Sequence, residues 1–358
     1  MRNLFKRVAI GVMVAATISL VQGPAQATQK KSFQVAWSIY AGWMPWGYAA
    51  DSGIMKKWAD KYGISVKVVQ INDYVESINQ YTAGAFDGCV MTNMDALTIP
   101  AAGGVDSTAV ISGDYSNGND GIVVKQGNGI ADLKGQQINL VELSVSHYLL
   151  ARALDTVGLR ERDVTVVNTA DADIVSAFTS SSDVTAAVTW NPQLSEIKQA
   201  QGATEIFDSS KVPGEIIDLM IVNTEMLKDN PDFGKALVGA WYEIMGLMTS
   251  DTAEGKAALE AMAQAAGTDL AGYKAQLATT KMFYTPAEAV AFASDPDLIK
   301  TMDLVRTFSF DHGLLGEGAR SADAVGMAFP GGATLGDAKN VKLRFDADYM
   351  KLAADGKL

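Results

Sequence analysis

Along this chain the spacing of apolar residues switches repeatedly between the period of a strand and that of a helix. Residues 33–39 form a short apolar run that ends at a Gly/Pro/aromatic loop, 40–47, and predict a buried strand. The loop leads into a helix over 48–62, stopped by Gly63. Residues 65–71 alternate and are rich in β-branched side chains, which predicts a second strand. Asp73 is placed to cap a helix running to Ala83, with Gly84 closing it. A third strand over 86–91 precedes a helix to Ala101, capped by Thr92 or Asn93. Strand–helix alternation of this length predicts parallel βαβ units.

The pattern then recurs with new content. Strands are predicted at 121–125, 137–141, 164–168, 184–189 and 215–222, with helices at 144–157 and 171–180 and another opening at Trp190-Asn191-Pro192. From Thr224 onward helices dominate, at 233–249, 253–266, 270–280 and 297–308, and the Gly-rich tail after Gly316 reads as peripheral. Two βα halves followed by a helical block predict an α/β fold of two lobes, each a mostly parallel sheet flanked by helices. The expected division is 28–113 plus 222–358 for lobe one and 114–221 for lobe two. The two crossings, near Gly113-Asp114 and near 219–222, would form a hinge. No short-period repeat interrupts this organisation.

The N-terminus adds a compartment to this picture. Arg2, Lys6 and Arg7 precede an apolar stretch of about 13 residues, shorter than the roughly 20 needed to span a bilayer, and Ala25-Gln26-Ala27 offers a cleavage site. No cysteine follows the stretch to carry a lipid. The expectation is export to the periplasm of a Gram-negative cell as a soluble protein, most simply a monomer. Removing residues 1–27 takes away three cations and moves the formal net charge from −12 to −15. Such a balance excludes nucleic acid as the natural partner, since phosphates demand clustered Lys and Arg. The single cysteine, Cys89, lies in an apolar run and reads as a buried structural thiol. With only two histidines, far apart in sequence, neither a metal site nor any cofactor is expected.

Several segments resemble one known family. NDYVESINQYTAGAFDGC (72–89), Asp132-Leu133-Lys134-Gly135 before a strand, SVSHYLLARALDTVGLRERDV (144–164) and VTWNP (188–192) together are similar to the nitrate/sulfonate/taurine group of ABC-transporter binding proteins. The resemblance covers nearly the whole mature chain, and its specificity lies in the combination rather than in any one segment. It implies the two-lobe periplasmic binding protein fold (type II-like), a ligand held where the lobes face one another, hinge closure, and partnership with ABC permease subunits and their cytoplasmic ATPase. WSIYAGWMPWGYA (37–49) is similar to a subgroup labelled as urea-transport binding proteins, whose members are encoded beside carboxylases linked to guanidine breakdown.

Open α/β sheets bind ligands beyond the carboxyl ends of their strands. The loops there, 40–51, 72–76, 92–96, 142–147, 190–192 and 213–219, contain no Lys or Arg but carry several carboxylates and aromatic rings. That composition suits a cation, through charge-assisted hydrogen bonds and contact with ring faces, and a guanidinium in particular. The candidate ligand contacts are Tyr40, Trp43, Trp46, Asp73, Asn93, Asp95, Glu142, Ser144, His147, Trp190 and Asp218. Several have plainer roles open to them. Asp73 can be a helix cap alone, His147 a structural group, and Asp218, inside an apolar stretch, needs a partner that is either ligand or hinge amide. Glu76, one turn into its helix, reads as solvated and Asp87 as structural.

The expected function is therefore capture of guanidine for an ABC importer. Urea, nitrate, sulfonate or taurine, and a thiamine pyrimidine precursor are the alternatives, and a sensory role on the same fold is a further one. An enzyme is disfavoured, because the chain has no Gly-x-Ser-x-Gly elbow, phosphate-binding loop, dinucleotide fingerprint or His-rich metal spacing. Mass spectrometry of the exported protein is expected to give Thr28 as the first residue; an intact leader or a lipidated N-terminus would refute the export reading.

Overall fold

The structure, a computed structural model, describes residues 30–358. The leader read at 1–27 lies outside the described residues. The predicted strands assemble into two sheets, and fourteen α-helices among the described residues pack on and between them. No helix among them is long and apolar enough to cross a membrane.

The larger sheet has nine strands. From one edge the order is Thr334–Leu335, Gly326–Ala328, Val341–Phe345, Ser107–Ser116, Ile217–Asn223, Gly88–Thr92, Ser32–Trp37 and Ser65–Gln70, with Thr280–Met282 paired to the far end of Ser107–Ser116. The smaller sheet has five, in the order Thr165–Asn168, Gln137–Leu140, Ala186–Trp190, Asp120–Val124, Thr204–Asp208. The predicted βα units give parallel pairs in both sheets. Ile217–Asn223 in the larger sheet and Asp120–Val124 in the smaller run antiparallel to both their neighbours, so both sheets are mixed. The chain leaves the larger sheet after Ser116, enters the smaller at Asp120, and passes back between Asp208 and Ile217.

Local sequence accounts for most of the elements. Asp73 caps Tyr74–Thr82, its carboxylate accepting the Glu76 amide at 2.9 Å. The helix expected over 48–62 is two, Met44–Asp51 and Ile54–Lys61, because Gly53 between them takes φ +79°. Ser107–Ser116 escaped the sequence pattern, since Gly113-Asp114 interrupts its apolar run, yet nearly all of it is buried. The tail after Gly316 is not peripheral. Three of its strands extend the larger sheet, with Met327 and Leu343 fully buried. Its glycines mark close backbone approach, not looseness: a Cβ on Gly326 would stand 2.1 Å from the Asp337 carbonyl oxygen.

The large core lies under the helices of the larger sheet. Phe33 stacks on Phe233 with ring centroids 4.4 Å apart, and Trp46 on Trp241 at 5.1 Å. Trp58 packs flat against the helix Pro231–Met248 at Gly239, where a Cβ would meet the indole at 2.3 Å. Gly239→Ala gains helix propensity of about 1 kcal/mol at most, but a rigid ring in a packed layer cannot yield cheaply. The substitution is expected to lower unfolding free energy by about 1–3 kcal/mol in thermal unfolding. An unchanged or raised midpoint would show that the indole swings aside at no cost.

Candidate functional site

The site begins with strand register. Ile217–Asn223 lies between Gly88–Thr92 and Ser107–Ser116 and is antiparallel to both, which sets Asp218 directly opposite Thr92 on one side and Asp114 on the other. Residues directly opposite share a face, so these three side chains form a row across the sheet. In the smaller sheet Asp120 is paired with Trp190. The loop after Ser32–Trp37 bridges the two sheets: the Ala41 amide donates to the Asn191 carbonyl at 3.1 Å, and the Trp190 indole N–H donates to the Ile39 carbonyl at 3.2 Å.

Where these parts meet they enclose a small cavity lined by Tyr40, Trp43, Tyr74, Thr92, Asp120, Val145, Trp190, Ile216 and Asp218. The space open to the centre of a water-sized molecule is ≈ 20 Å³, enough for a solute of only a few heavy atoms. Its aromatic walls form a continuous chain of ring contacts: Tyr40 to Trp43 at 5.1 Å, Trp43 to Tyr74 at 5.6 Å and Tyr74 to Trp190 at 5.6 Å. None of the lining residues is basic.

Acidic groups are concentrated around this cavity. Asp218 and Asp120 are in its wall, 3% and 2% exposed, and Asp114 lies fully buried beside Asp218 with its Oδ1 accepting the Tyr40 hydroxyl at 3.1 Å. Asp95 sits one layer behind; its Oδ2 accepts the Tyr74 hydroxyl at 2.6 Å and the Thr92 hydroxyl at 2.8 Å. Burial pushes every one of these carboxyls upward. Asp95 rises to about 6, and Asp114 and Asp120 to about 7. Asp218 rises well above the usual range, through burial first and then the adjacent Asp114. Among the described residues no group of three or more His, Cys, Asp or Glu is poised to hold a metal ion. The cavity therefore combines ring faces with ionisable carboxyls and has no basic side chain in its lining.

The sequence-derived candidates divide sharply. Tyr40, Trp43, Trp190 and Asp218 line the cavity. Asp95 and Trp46 stand behind it, the first on Tyr74 and Thr92, the second against Trp241. The other five are away from it. Asp73 is the exposed helix cap already described. Ser144 caps Val145–Asp155, and its hydroxyl donates to the Val141 carbonyl at 2.7 Å. Asn93 is spent on the Ile217 amide and the Glu215 carbonyl. Glu142 is exposed, because the chain turns outward after Leu140 and only its amide is engaged, by Asn168. His147 lies on the face of its helix that meets the C-terminal part of the chain. The sequence reading missed Asp120 and Asp114. Asp120 begins its strand, but the antiparallel pairing brings that beginning beside the carboxyl end of Ala186–Trp190. Asp114 sits in the strand that went unrecognised.

His147 belongs to a second polar cluster that joins the two sheets' packing layers. Both of the chain's histidines contact one carboxylate, Glu161: His147 through Nε2 at Oε1, and His312 through Nε2 at Oε2. His312 Nδ1 also bonds the Phe308 carbonyl at 2.7 Å. A ring with an acceptor on each nitrogen is fully matched only with a proton on each, so these contacts favour the imidazolium form of His312. His147 differs, since its Nδ1 accepts the Leu143 amide at 3.0 Å. The bond to Glu161 raises His312, with Asp311 adding to it. Burial opposes ionisation of Glu161, but its two imidazole contacts prevail and hold it near about 2. The raised histidine contributes stability that is complete below its ordinary 6.5 and is lost as pH climbs through the folded value. The depressed carboxylate contributes above its ordinary 4.5 and loses this as pH falls through about 2. His312→Gln is therefore expected to lower the melting temperature most between about pH 4.5 and 6.5, with the gap narrowing on the alkaline side. A gap that does not change with pH would show that the pair is not charged.

Comparison with solved structures agrees with this architecture. The alkanesulfonate-binding protein SsuA from Xanthomonas axonopodis pv. citri, bound to MOPS, superposes with a TM-score of 0.67 at 18% identity, covering 83% of this chain and 99% of that one. A Candida albicans gene product that exhibits the generic periplasmic binding protein structural fold superposes with a TM-score of 0.62 at 14% identity, covering 82% of this chain and 92% of that one. The chain therefore has the periplasmic binding protein fold. A protein of Brucella abortus described as a binding protein is 29% identical over 160 residues, which are 44% of this chain; the match spans about half of that relative, 49% of its length. The profile of the family described as NMT1/THI5 like matches residues 48–254, more than half of the chain, and this protein belongs to the NMT1/THI5-like family.

Proposed function

We propose that this protein is the exported solute-binding component of an ABC importer and that it captures a small planar cation, guanidinium, between two lobes that close on it. The lobes are the bodies built on the larger and smaller sheets, the working compartment is the periplasm, and the partners are permease subunits with their ATPase. The fold and the binding-protein relatives support the general role.

One observation carries the choice of ligand. Asp218 and Asp120 face a closed aromatic cavity, Asp114 and Asp95 back them, and no lining residue supplies a positive charge. Buried carboxylates left unpaired are costly, so the site calls for a cation that is hydrogen-bonded as well as charged. A guanidinium meets both demands, with its N–H fork toward carboxylates and its weakly hydrated faces toward Tyr40, Trp43, Tyr74 and Trp190. The cavity's small volume favours such a ligand over a sulfonate the size of MOPS. Urea has the right shape and is the second reading, but it brings no charge to offset the carboxylates.

Calorimetric titration with guanidinium, methylguanidine, agmatine, urea, nitrate and taurine tests the assignment. Guanidinium is expected to bind most tightly, and Asp218→Asn to weaken it by roughly 30-fold to a few thousand-fold, the range for an unpaired charge in a closed site. Glu142→Gln, exposed and outside the cavity, should leave affinity unchanged. Because Asp114 and Asp120 titrate near about 7, guanidinium affinity should fall as pH drops below that value, while urea binding keeps its affinity. A wild type that ignores guanidinium and binds nitrate or a sulfonate tightly overturns the proposal.

A further inference from the structure

Behind the ligand cavity, inside the body of the larger sheet, lies a second and smaller chamber. Trp43, Trp241, Asp114 and Asp218 line it together with apolar side chains such as Ile111 and Leu219. Trp43 and Asp218 thus stand between the two spaces, one face toward each. The space open to the centre of a water-sized molecule is ≈ 10 Å³, which matches a single water.

Each of the four polar residues lining it has a fully buried atom with hydrogen-bonding capacity left over. They are Trp43 Nε1 and Trp241 Nε1, which have no partner among the described residues, and Asp114 Oδ2 and Asp218 Oδ2, whose carboxyls face one another. Indole N–H groups can only donate, and carboxylate oxygens chiefly accept. A sodium, potassium or ammonium ion would suit the carboxyls but would be faced by two N–H donors. A second carboxylate or a chloride would suit the indoles but be repelled by the aspartates. One molecule satisfies all four, because water accepts two hydrogen bonds and donates two. A proton shared between the adjacent Asp114 and Asp218 carboxyls uses one lone pair on each of two oxygens and leaves others free to accept.

We propose that this chamber is a specific site for one resident water, which accepts from the indoles of Trp43 and Trp241, donates to Asp114 and Asp218, and so positions the carboxyl floor of the ligand cavity. All of its lining comes from the larger sheet and the segments packed on it, so occupancy does not depend on closure between the sheets. Trp241 is a positioning residue in this arrangement: it touches the water and Trp46, not the ligand cavity.

The test uses the full mature protein without any added ligand. In a near-atomic-resolution crystal structure, one density peak is expected within hydrogen-bond distance of both indole nitrogens and of at least one oxygen of each aspartate. In solution, the indole N–H protons of Trp43 and Trp241 should show magnetisation transfer from a long-lived water. Trp241→Phe keeps the ring stacked on Trp46 and removes one donor, and should abolish the signal at Trp43. An empty chamber, a peak on the carboxyls alone as a bound cation would give, or a Trp43 signal unaffected by Trp241→Phe overturns the site. The positioning role rests on the proposed ligand and is read separately. Trp241→Phe should raise the guanidinium Kd by roughly 2- to 10-fold, the range for one hydrogen bond. An unchanged Kd overturns that role, whereas wild type failing to bind guanidinium at all, with the water signals intact, is a failure of the ligand assignment alone.

Discussion

Four carboxyl groups kept out of water at the meeting of two sheets set the terms for the rest of this molecule. A charge in such a place is tolerated only if something nearby bears the opposite sign or if the group takes up a proton. The protein supplies hydroxyl donors from Tyr40, Tyr74 and Thr92 but no cation. The elevated titration of Asp95, Asp114, Asp120 and Asp218 expresses this unresolved demand. On the proposed function, a cationic ligand resolves it by arriving with the missing charge, so that selection for sign comes before any detail of shape.

Ion pairs elsewhere are resolved internally, and the contrast is informative. Glu215 is half of a bidentate pair with Arg152 and also accepts the Tyr148 hydroxyl at 2.5 Å. Glu161 is held by two imidazoles. Both carboxylates come from segments near the junction of the sheets, as Asp120 and Asp218 do, yet both are matched by side chains of the same protein. The aromatic cavity and its backing layer instead gather four buried carboxyls without a basic side chain in the lining.

Much of the fold was legible because strands and helices alternate with clear caps and stops, as at Asp73 and Gly84, and the parallel units followed from that alternation. What escaped was non-local. Ser107–Ser116 hides behind Gly113-Asp114, and the tail strands hide behind glycines that the close-packed sheet edge requires. The lining of the candidate cavity was legible where a side chain belongs to a strand end or its loop, as with Tyr40, Trp43, Trp190 and Asp218. It was illegible where antiparallel pairing brings a strand's beginning to the cavity, as with Asp120, since the rule about carboxyl ends presumes parallel strands. Glu142 lies outside this cavity for the converse reason: it follows a parallel strand, but the chain turns outward there.

The insertion of Ile217–Asn223 into the middle of the larger sheet, with partners on both edges, has a mechanical consequence. Asp218 is bolted to two strands at once and cannot shift without dragging the sheet. Asp120 and Trp190 ride on a separate sheet, joined to this one by loop contacts and by the polar clusters around Glu161 and Glu215 rather than by shared strand pairing. On the proposed closure of the two lobes, the half fixed in the larger sheet defines where charge must sit, and the half that moves defines how large an occupant can be enclosed. If the proposed function holds, variation confined to the smaller sheet would retune size while preserving sign, giving a lineage of such proteins a route to new cations without rebuilding the anvil they are held against.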